Sequence, residues 1–339
     1  MIHSNALTEN LPPPDHNLRY LALGVWERFD TLWYLQIAAH GYSRPEAVVF
    51  FPLYPSLIRI LTRLLPPMAA ALLISTVAAF FLLWGLQELL LGDDSPHSVD
   101  QTVFLSAVFL CAVWPASFIF FAGYPESLLL ALIVWSLCMG RGDHWLAAGA
   151  LGVAAALTKA VGVVVAVPLL IIAVRNRKTM ALPAALLVPL GSAGFLGYLR
   201  WTGHGALSSA YREYWRSSPG LPWTTLWTSV TTLLHTPDLI LTLNLIFLIL
   251  VCALAMLSRL RIEYLLYSAA AIVLLLCKET TPPLQSMIRY LLIIFPAFVG
   301  LARLLQRPSL RTRFGMVCAA LFVVNIGLLW LFLGWSLVL

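Results

Sequence analysis

The stretch MAAALLISTVAAFFLLWGLQELLL, residues 68–91, decides the fold. It is long enough to cross ~30 Å of hydrocarbon as one helix. Similar apolar runs recur along the chain of 339 residues, 60% of which are hydrophobic and only 11% charged. A water-soluble domain carries roughly twice that charged fraction. The runs lack the alternation of a membrane β-barrel, so helices are the remaining spanning solution. The chain is therefore expected to be an all-α polytopic membrane protein. Spans are predicted near 68–91, 102–121, 123–140, 144–158, 160–174, 180–199, 239–257, 263–277, 288–305 and 315–339, about 9–10 in total.

The net charge of +6 does not point to nucleic acid. Much of it lies in short clusters between apolar runs: Arg175, Arg177 and Lys178; Arg259 and Arg261; Arg303, Arg307, Arg311 and Arg313. That is the pattern of cytoplasmic loops. Alternation then puts 17–67, 122–126, 200–238 and 278–287 on the opposite side. The loop 92–101 falls on the basic side although it carries Asp93, Asp94 and Asp100; acidic residues weigh little in this rule. The five cysteines, Cys111, Cys138, Cys252, Cys277 and Cys318, show no CxxC spacing and read as small core residues.

Residues 1–16, with Pro12-Pro13-Pro14, read as a disordered tail, and 17–339 as one transmembrane catalytic domain. Its two large outer stretches are 17–67, expected to hold juxtamembrane helices, and 200–238, rich in Trp and Tyr. Those aromatics suit an interfacial belt, or as a cluster a platform for sugar rings. Residues 17–67 reach the outer side if an earlier helix precedes them or if downstream spans pull them across; the third option is that 48–65 is itself a span. The last would put Asp30 in the cytoplasm.

Four constellations carry possible chemistry. The first is Glu27, Arg28 and Asp30, set among Trp26, Phe29, Trp33 and Tyr34. On a helix, positions 27 and 30 share a face, so the carboxylates can share a proton and one can serve as a general base. A surface ion pair of Arg28 is the plainer alternative. The second is Gly123-Tyr124-Pro125-Glu126-Ser127, where Glu126 suits a helix start with or without a further role. The third is Thr158-Lys159, a lysine between apolar runs that needs a partner, a polar cavity or a route to the interface. The fourth is Ser286-Met287-Ile288-Arg289-Tyr290, where the arginine fits a lipid-linked phosphate or an interfacial anchor. No Walker loop, GxSxG or HExxH occurs. The histidines lack ligand spacing, and His40, the one near the first cluster, reads as a hydrogen-bonding residue.

The run Trp26-Glu27-Arg28-Phe29-Asp30-Thr31-Leu32-Trp33-Tyr34, then Gly41-Tyr42 and Phe50-Phe51-Pro52-Leu53-Tyr54-Pro55, resembles the opening of the PIG-V-type mannosyltransferases, relatives of GPI mannosyltransferase 2. Tyr124-Pro125-Glu126-Ser127, Leu157-Thr158-Lys159-Ala160-Val161-Gly162, the Tyr211–Pro222 loop with Trp215, and Ser286–Tyr290 followed by Phe295-Pro296 extend the resemblance in order. It covers nearly the whole chain from about residue 20. The chain departs from the family pattern in having Lys159 in place of arginine and in its Glu-x-x-Asp spacing.

The resemblance implies a GT-C-type transmembrane fold and an inverting sugar transferase, with mannose moved from a polyprenyl-phosphate donor to a glycan or glycolipid hydroxyl. It implies Asp30 as catalytic base and Lys159, Arg289 and Tyr290 as donor-phosphate ligands. Glu27, Arg28, Tyr34, His40, Tyr124, Glu126 and Trp215 would support the substrates. Neither a metal nor a separate cofactor is expected, since fixed cations can neutralise the leaving phosphate. The enzyme would sit in the plasma membrane of a bacterium or the endoplasmic reticulum of a eukaryote. A transporter or flippase of a lipid-linked or anionic substrate, and a non-catalytic lipid-binding scaffold, remain alternatives.

Overall fold

The computed structural model describes residues 18–92, 97–175, 177–178 and 181–335. The tail expected over 1–16 lies outside them, as do Asp93 and Asp94. Three short helices come first: α1 (Leu18–Ala22), α2 (Asp30–His40) and α3 (Leu53–Leu61). Then follow α4 (Pro67–Leu91), α5 (Gln101–Val113), α6 (Glu126–Arg141), α7 (Trp145–Thr158), α8 (Ala166–Arg175) and α9 (Ala181–Trp201). The second outer stretch holds α10 (Leu207–Tyr214), β1 (Ser217–Pro219) and α11 (Pro222–His235). The chain closes with α12 (Leu239–Leu257), α13 (Ile262–Leu276), β2 (Lys278–Thr280), α14 (Met287–Tyr290), α15 (Phe295–Leu305) and α16 (Phe314–Leu333). β1 and β2 pair antiparallel, so the otherwise helical fold carries one small sheet.

Among the described residues four helices, α4, α9, α12 and the one ending at Leu333, are long and apolar enough to cross a membrane; counting the bent pair α14–α15 gives five. With 25 residues, α4 is about 37 Å long at 1.5 Å per residue. Pro67 starts it, at a position where the missing N–H has no helical partner anyway. The outer surfaces are apolar: Phe80, Ile249, Val323 and Trp330 are all more than half exposed. Water would penalise so continuous an apolar face, and lipid does not. The interior is aromatic at its centre, where fully buried Trp114 meets the rings of Phe247 and Phe298 edge-on, each at 5.3 Å.

Several expected spans are shorter or broken. The run 102–121 stops as a helix at Val113, because Pro115 and the left-handed Ala116 (φ 68°) end it, and a 3-10 turn at Ser117–Phe120 follows. The run 288–305 bends by 83° between Ile293 and Phe295, where Pro296 cannot continue the ladder. Residues 48–65 are not a span: α3 has nine residues, about 14 Å. The two runs around Lys159 form a hairpin. α7 ends at Thr158, Lys159 is extended, and a 3-10 turn over Ala160–Val165 leads into α8. Gly162 makes this return possible, because a Cβ there would overlap the Ala155 carbonyl.

The charged residues sort to two ends of the bundle. At one end Arg175 Nη1 donates to Glu263 Oε2 at 2.9 Å, and Arg141 Nη1 donates to Leu89 O (2.7 Å) and Tyr264 OH (3.1 Å). There Arg303 also reaches Ser98 O at 2.7 Å. Three of the basic clusters thus meet at one end, as the alternation of spans requires. The starts of α2 and α6, the ends of α7 and α16, and the segment 278–290 gather at the other.

The Gly162 hairpin is directly testable. Gly162→Ala is expected to cost about 1–3 kcal/mol through overpacking. It should lower the Tm of the detergent-solubilised protein. Gly194→Ala in α9, with open space around it, is expected to leave the Tm unchanged or raise it. Thermal scans of both variants check the contrast, and equal shifts would contradict the close return.

Candidate functional site

The segment before α2 is bent by a residue type that rarely bends chains. Phe29 has φ 47°, outside the helical region and uncommon for a residue with a side chain. Packing holds it there: its buried ring lies 5.5 Å from Phe332 and 5.0 Å from Trp335. Arg28 completes the clamp. Its Nε donates to Leu333 O at 3.1 Å, its Nη1 to Gly24 O at 3.1 Å, and its guanidinium lies over the Trp335 ring. The break makes Asp30 the first residue of α2, where the helix dipole favours a carboxylate.

Thr31 Oγ1 donates to Gly123 O at 3.3 Å, which ties this helix start to that of α6. Glu126 is the first residue of α6, so a second carboxylate also stands at a helix N-terminus. The turn between is pinned from α4: Ser75 Oγ donates to Tyr124 O at 2.9 Å, and Tyr54 OH bonds Ser75 Oγ at 2.8 Å. Arg289 arrives from α14, whose Ile288 N–H donates to Asn244 Oδ1 at 3.0 Å.

These groups form an alternating chain of charge. Arg289 Nη1 donates to Asp30 Oδ2 at 2.7 Å, and Arg289 Nε lies 3.3 Å from Glu126 Oε1. Lys159 Nζ donates to the same Glu126 oxygen at 2.7 Å. Arg289 Nη2 also donates to Tyr290 OH at 3.0 Å, and Lys159 Nζ sits 4.4 Å from the Tyr290 ring centre. The Tyr124 ring lies 5.1 Å from the guanidinium. The inner pair is sealed, with Glu126 1% and Arg289 3% exposed, while Asp30 and Lys159 are 16% and 22% exposed. Buried charges of this kind are costly unless paired, and here each is. The remaining Glu126 oxygen, Oε2, and the Tyr124 hydroxyl have no hydrogen-bond partner among the described residues.

A further cation borders the cluster. Lys278, on β2, holds its ammonium 4.8 Å from the Tyr211 ring centre. Burial pushes its pKa down, but the negative charge that Tyr290, Tyr211 and Asp30 can carry beside it pushes it up by more, so on balance it is raised. Tyr34 is buried beside the cluster, its ring against Phe50 and Tyr54 at 5.1 and 5.0 Å. Burial first, then the Asp30 and Glu126 carboxylates, push its phenol well above the ordinary range, so it remains a donor.

Asp30, Tyr34, Tyr124, Glu126, Lys159, Arg289 and Tyr290 therefore come together as the sequence leads one to expect. Four expected residues take other places. Glu27 ends the 3-10 turn before the Phe29 break, so it shares no helix face with Asp30; the carboxylate that shares a partner with Asp30 is Glu126. Arg28 clamps the last helix rather than facing a substrate. His40 is exposed at the far end of α2, ten residues from Asp30, about 15 Å along the axis. Trp215 donates Nε1 to Glu46 O at 3.0 Å and packs on Trp33 and Phe50, fastening the second outer stretch to the first. Lys278 does not stand out in the sequence, and Tyr211 does so only as one of the aromatics of 200–238 and the start of the Tyr211–Pro222 loop. The signal for Lys278 was the same as for Lys159, a lysine at the edge of an apolar run.

Among the described residues no three His, Cys, Asp or Glu side chains gather to hold a metal ion. No protein-family model matches the chain, and no curated protein sequence matches it.

The pairing makes opposite demands on the two carboxylates. Glu126→Leu strips both cations of their shared buried partner and is expected to cost about 3–5 kcal/mol. Asp30→Asn keeps an acceptor oxygen for Arg289 at a partly open position and is expected to move Tm by only a few degrees. Thermal unfolding followed by tryptophan fluorescence measures both; equal destabilisation would contradict the division into sealed and open groups.

Proposed function

We propose that this chain is an inverting, membrane-embedded glycosyltransferase whose donor is a sugar linked to a polyprenyl phosphate. The observation that carries the reading is Arg289, sealed in the bundle and shared between two carboxylates, one of which is open to a substrate. Charge counting supports it. Arg289, Lys159 and Lys278 bring three positive charges against two from Asp30 and Glu126, leaving one. A sugar phosphodiester carries one negative charge and neutralises it. Arg289 offers a planar fork for phosphate oxygens, and Lys159 and Lys278 supply point charges for the larger negative charge of the departing lipid phosphate.

In this mechanism the donor phosphate takes Arg289 over from Asp30. The released carboxylate accepts the proton of the acceptor hydroxyl as that oxygen attacks the anomeric carbon on the face opposite the phosphate. The carbon–oxygen bond to phosphate breaks, and its electron pair leaves with the lipid phosphate. The proton passes from Asp30 to water. Tyr34 remains a hydroxyl donor beside the site. The charges of the Arg289 cluster lie together at one end of the bundle, whereas a transporter places its ionic groups near mid-membrane.

The likeness of the motifs to PIG-V-type mannosyltransferases makes mannose the first sugar to test. It also makes a GT-C arrangement with the shorter apolar helices completing about 9–10 crossings part of the proposal. By the positive-inside rule the site end faces away from the cytoplasm.

Transfer of radiolabelled mannose from polyprenyl-phosphate-mannose, in membranes holding matched amounts of each protein, tests the reading. Loss of a general base is expected to lower transfer by about 10²–10⁴-fold in Asp30→Asn. Arg289→Lys should also fall well below wild type, because the fork is lost. Undiminished transfer by Asp30→Asn would remove Asp30 from the chemistry.

A further inference from the structure

The last spanning helix is the one least enclosed along its length. In the helix ending at Leu333, 22% of the apolar stretch is buried, against 50%, 33% and 39% in α4, α9 and α12. Phe322, Val323, Ile326 and Trp330 are exposed on the outer side of α16. Yet Phe332, in its final turn, is fully buried. A helix open in its middle and sealed at its end has that end inserted, and the insertion is into the site end of the bundle. Asn325 Nδ2 donates to Ser117 Oγ at 3.1 Å, which fixes the depth and rotation of the helix.

Phe332 meets aromatic rings from two helix starts. Its ring centre lies 5.5 Å from that of Phe29, 5.3 Å from Phe118 and 5.9 Å from Tyr124. Phe29 directly precedes Asp30, and Tyr124 stands shortly before Glu126. One side chain therefore packs under both helix starts whose carboxylates share Arg289. The two starts are not held equally. The Tyr124 turn is also pinned by Ser75, and through it by Tyr54. The α2 start has the long Thr31–Gly123 bond, and Phe29 at φ 47° keeps that conformation only while its surroundings enforce it. Those surroundings are Phe332 and Trp335, with Arg28 bonded to Leu333 O between them. Loss of the Phe332 ring frees Phe29 to relax, and Asp30 moves with it while Glu126 stays.

Resting on the transferase reading, we infer that Phe332 is a positioning residue for the transfer step. It is sealed from solvent and substrate, and it acts through Phe29 on the place of Asp30. The donor cations are mounted elsewhere: Arg289 on α14, Lys159 at the α7 hairpin and Lys278 on β2. A base displaced by about 1 Å loses on the order of 100-fold in rate, while the grip on the donor survives.

Transfer kinetics of Phe332→Leu, with Leu328→Ala as the control, test the assignment. Leu328 is buried one turn earlier on α16. In Phe332→Leu, kcat is expected to fall about 10- to 100-fold with the donor KM within about twofold of wild type. Leu328→Ala is expected to lower Tm at least as far and to leave kcat within about twofold. A second readout needs no transfer: the rate at which a water-soluble maleimide labels Asp30→Cys, read at that residue by mass spectrometry. The rate is expected to rise severalfold when Phe332→Leu is added and to stay unchanged when Leu328→Ala is added. Equal kcat in Phe332→Leu and Leu328→Ala, or a labelling rate that Phe332→Leu leaves unchanged, would overturn the role. Wild-type protein without transfer would remove the transferase reading, and the labelling would still decide whether Phe332 places residue 30.

Discussion

A guanidinium sealed from solvent must be paired, and the packing of the whole site end follows from satisfying Arg289. Its partners come from α2 and α6, its ring contacts from Tyr124 and Tyr290, and Lys159 from the α7 hairpin shares the Glu126 oxygen that faces it. Segments near residues 30, 126, 159 and 289 are thereby brought to one point. Removing Glu126, the sealed carboxylate that two cations share, would leave buried charge without its partner, which is the expensive direction. The arrangement is thus fixed by electrostatic necessity and gives no evidence of a stability gain. A hydrophobic cluster of the same shape would be at least as stable, so the charges point to use.

The rest of the fold positions this chain of charge. Phe29 is held in an unfavourable backbone conformation by α16, and Arg28 holds the end of that helix by the Leu333 carbonyl. Gly162 lets the α7–α8 hairpin close so that Lys159 lies at its tip. The basic clusters at the opposite end anchor the other helix termini, which leaves the site end to carry the functional groups.

Much of this was legible in the sequence, for a physical reason. In a chain with so few charges, Asp30, Glu126, Lys159 and Arg289 each stood out as costly, and costly residues proved to be one another's partners. The long apolar helices α4, α9 and α12 were legible from run length alone. What failed was local geometry. Nothing about phenylalanine announces a positive φ, so Glu27 was expected on a helix face with Asp30 that the break at Phe29 abolishes. Arg28 looks like a site residue because two of its partners, Leu333 O and Trp335, lie about three hundred residues away. The span expected over 102–121 ignored Pro115, and that over 288–305 ignored the bend before Pro296. Lys278 resembled any lysine reaching for an interface, and only the tertiary placement of Tyr211 and Asp30 distinguishes it.

The central claim is that Arg289 exchanges Asp30 for a lipid phosphate. The direct measurement is the affinity of purified protein for polyprenyl phosphate, compared between wild type and Asp30→Asn. Removing the competing carboxylate charge is expected to tighten binding, with a tenfold gain corresponding to about 1.4 kcal/mol, while Arg289→Gln abolishes it. Equal or weaker binding by Asp30→Asn would contradict the exchange and the account built on it.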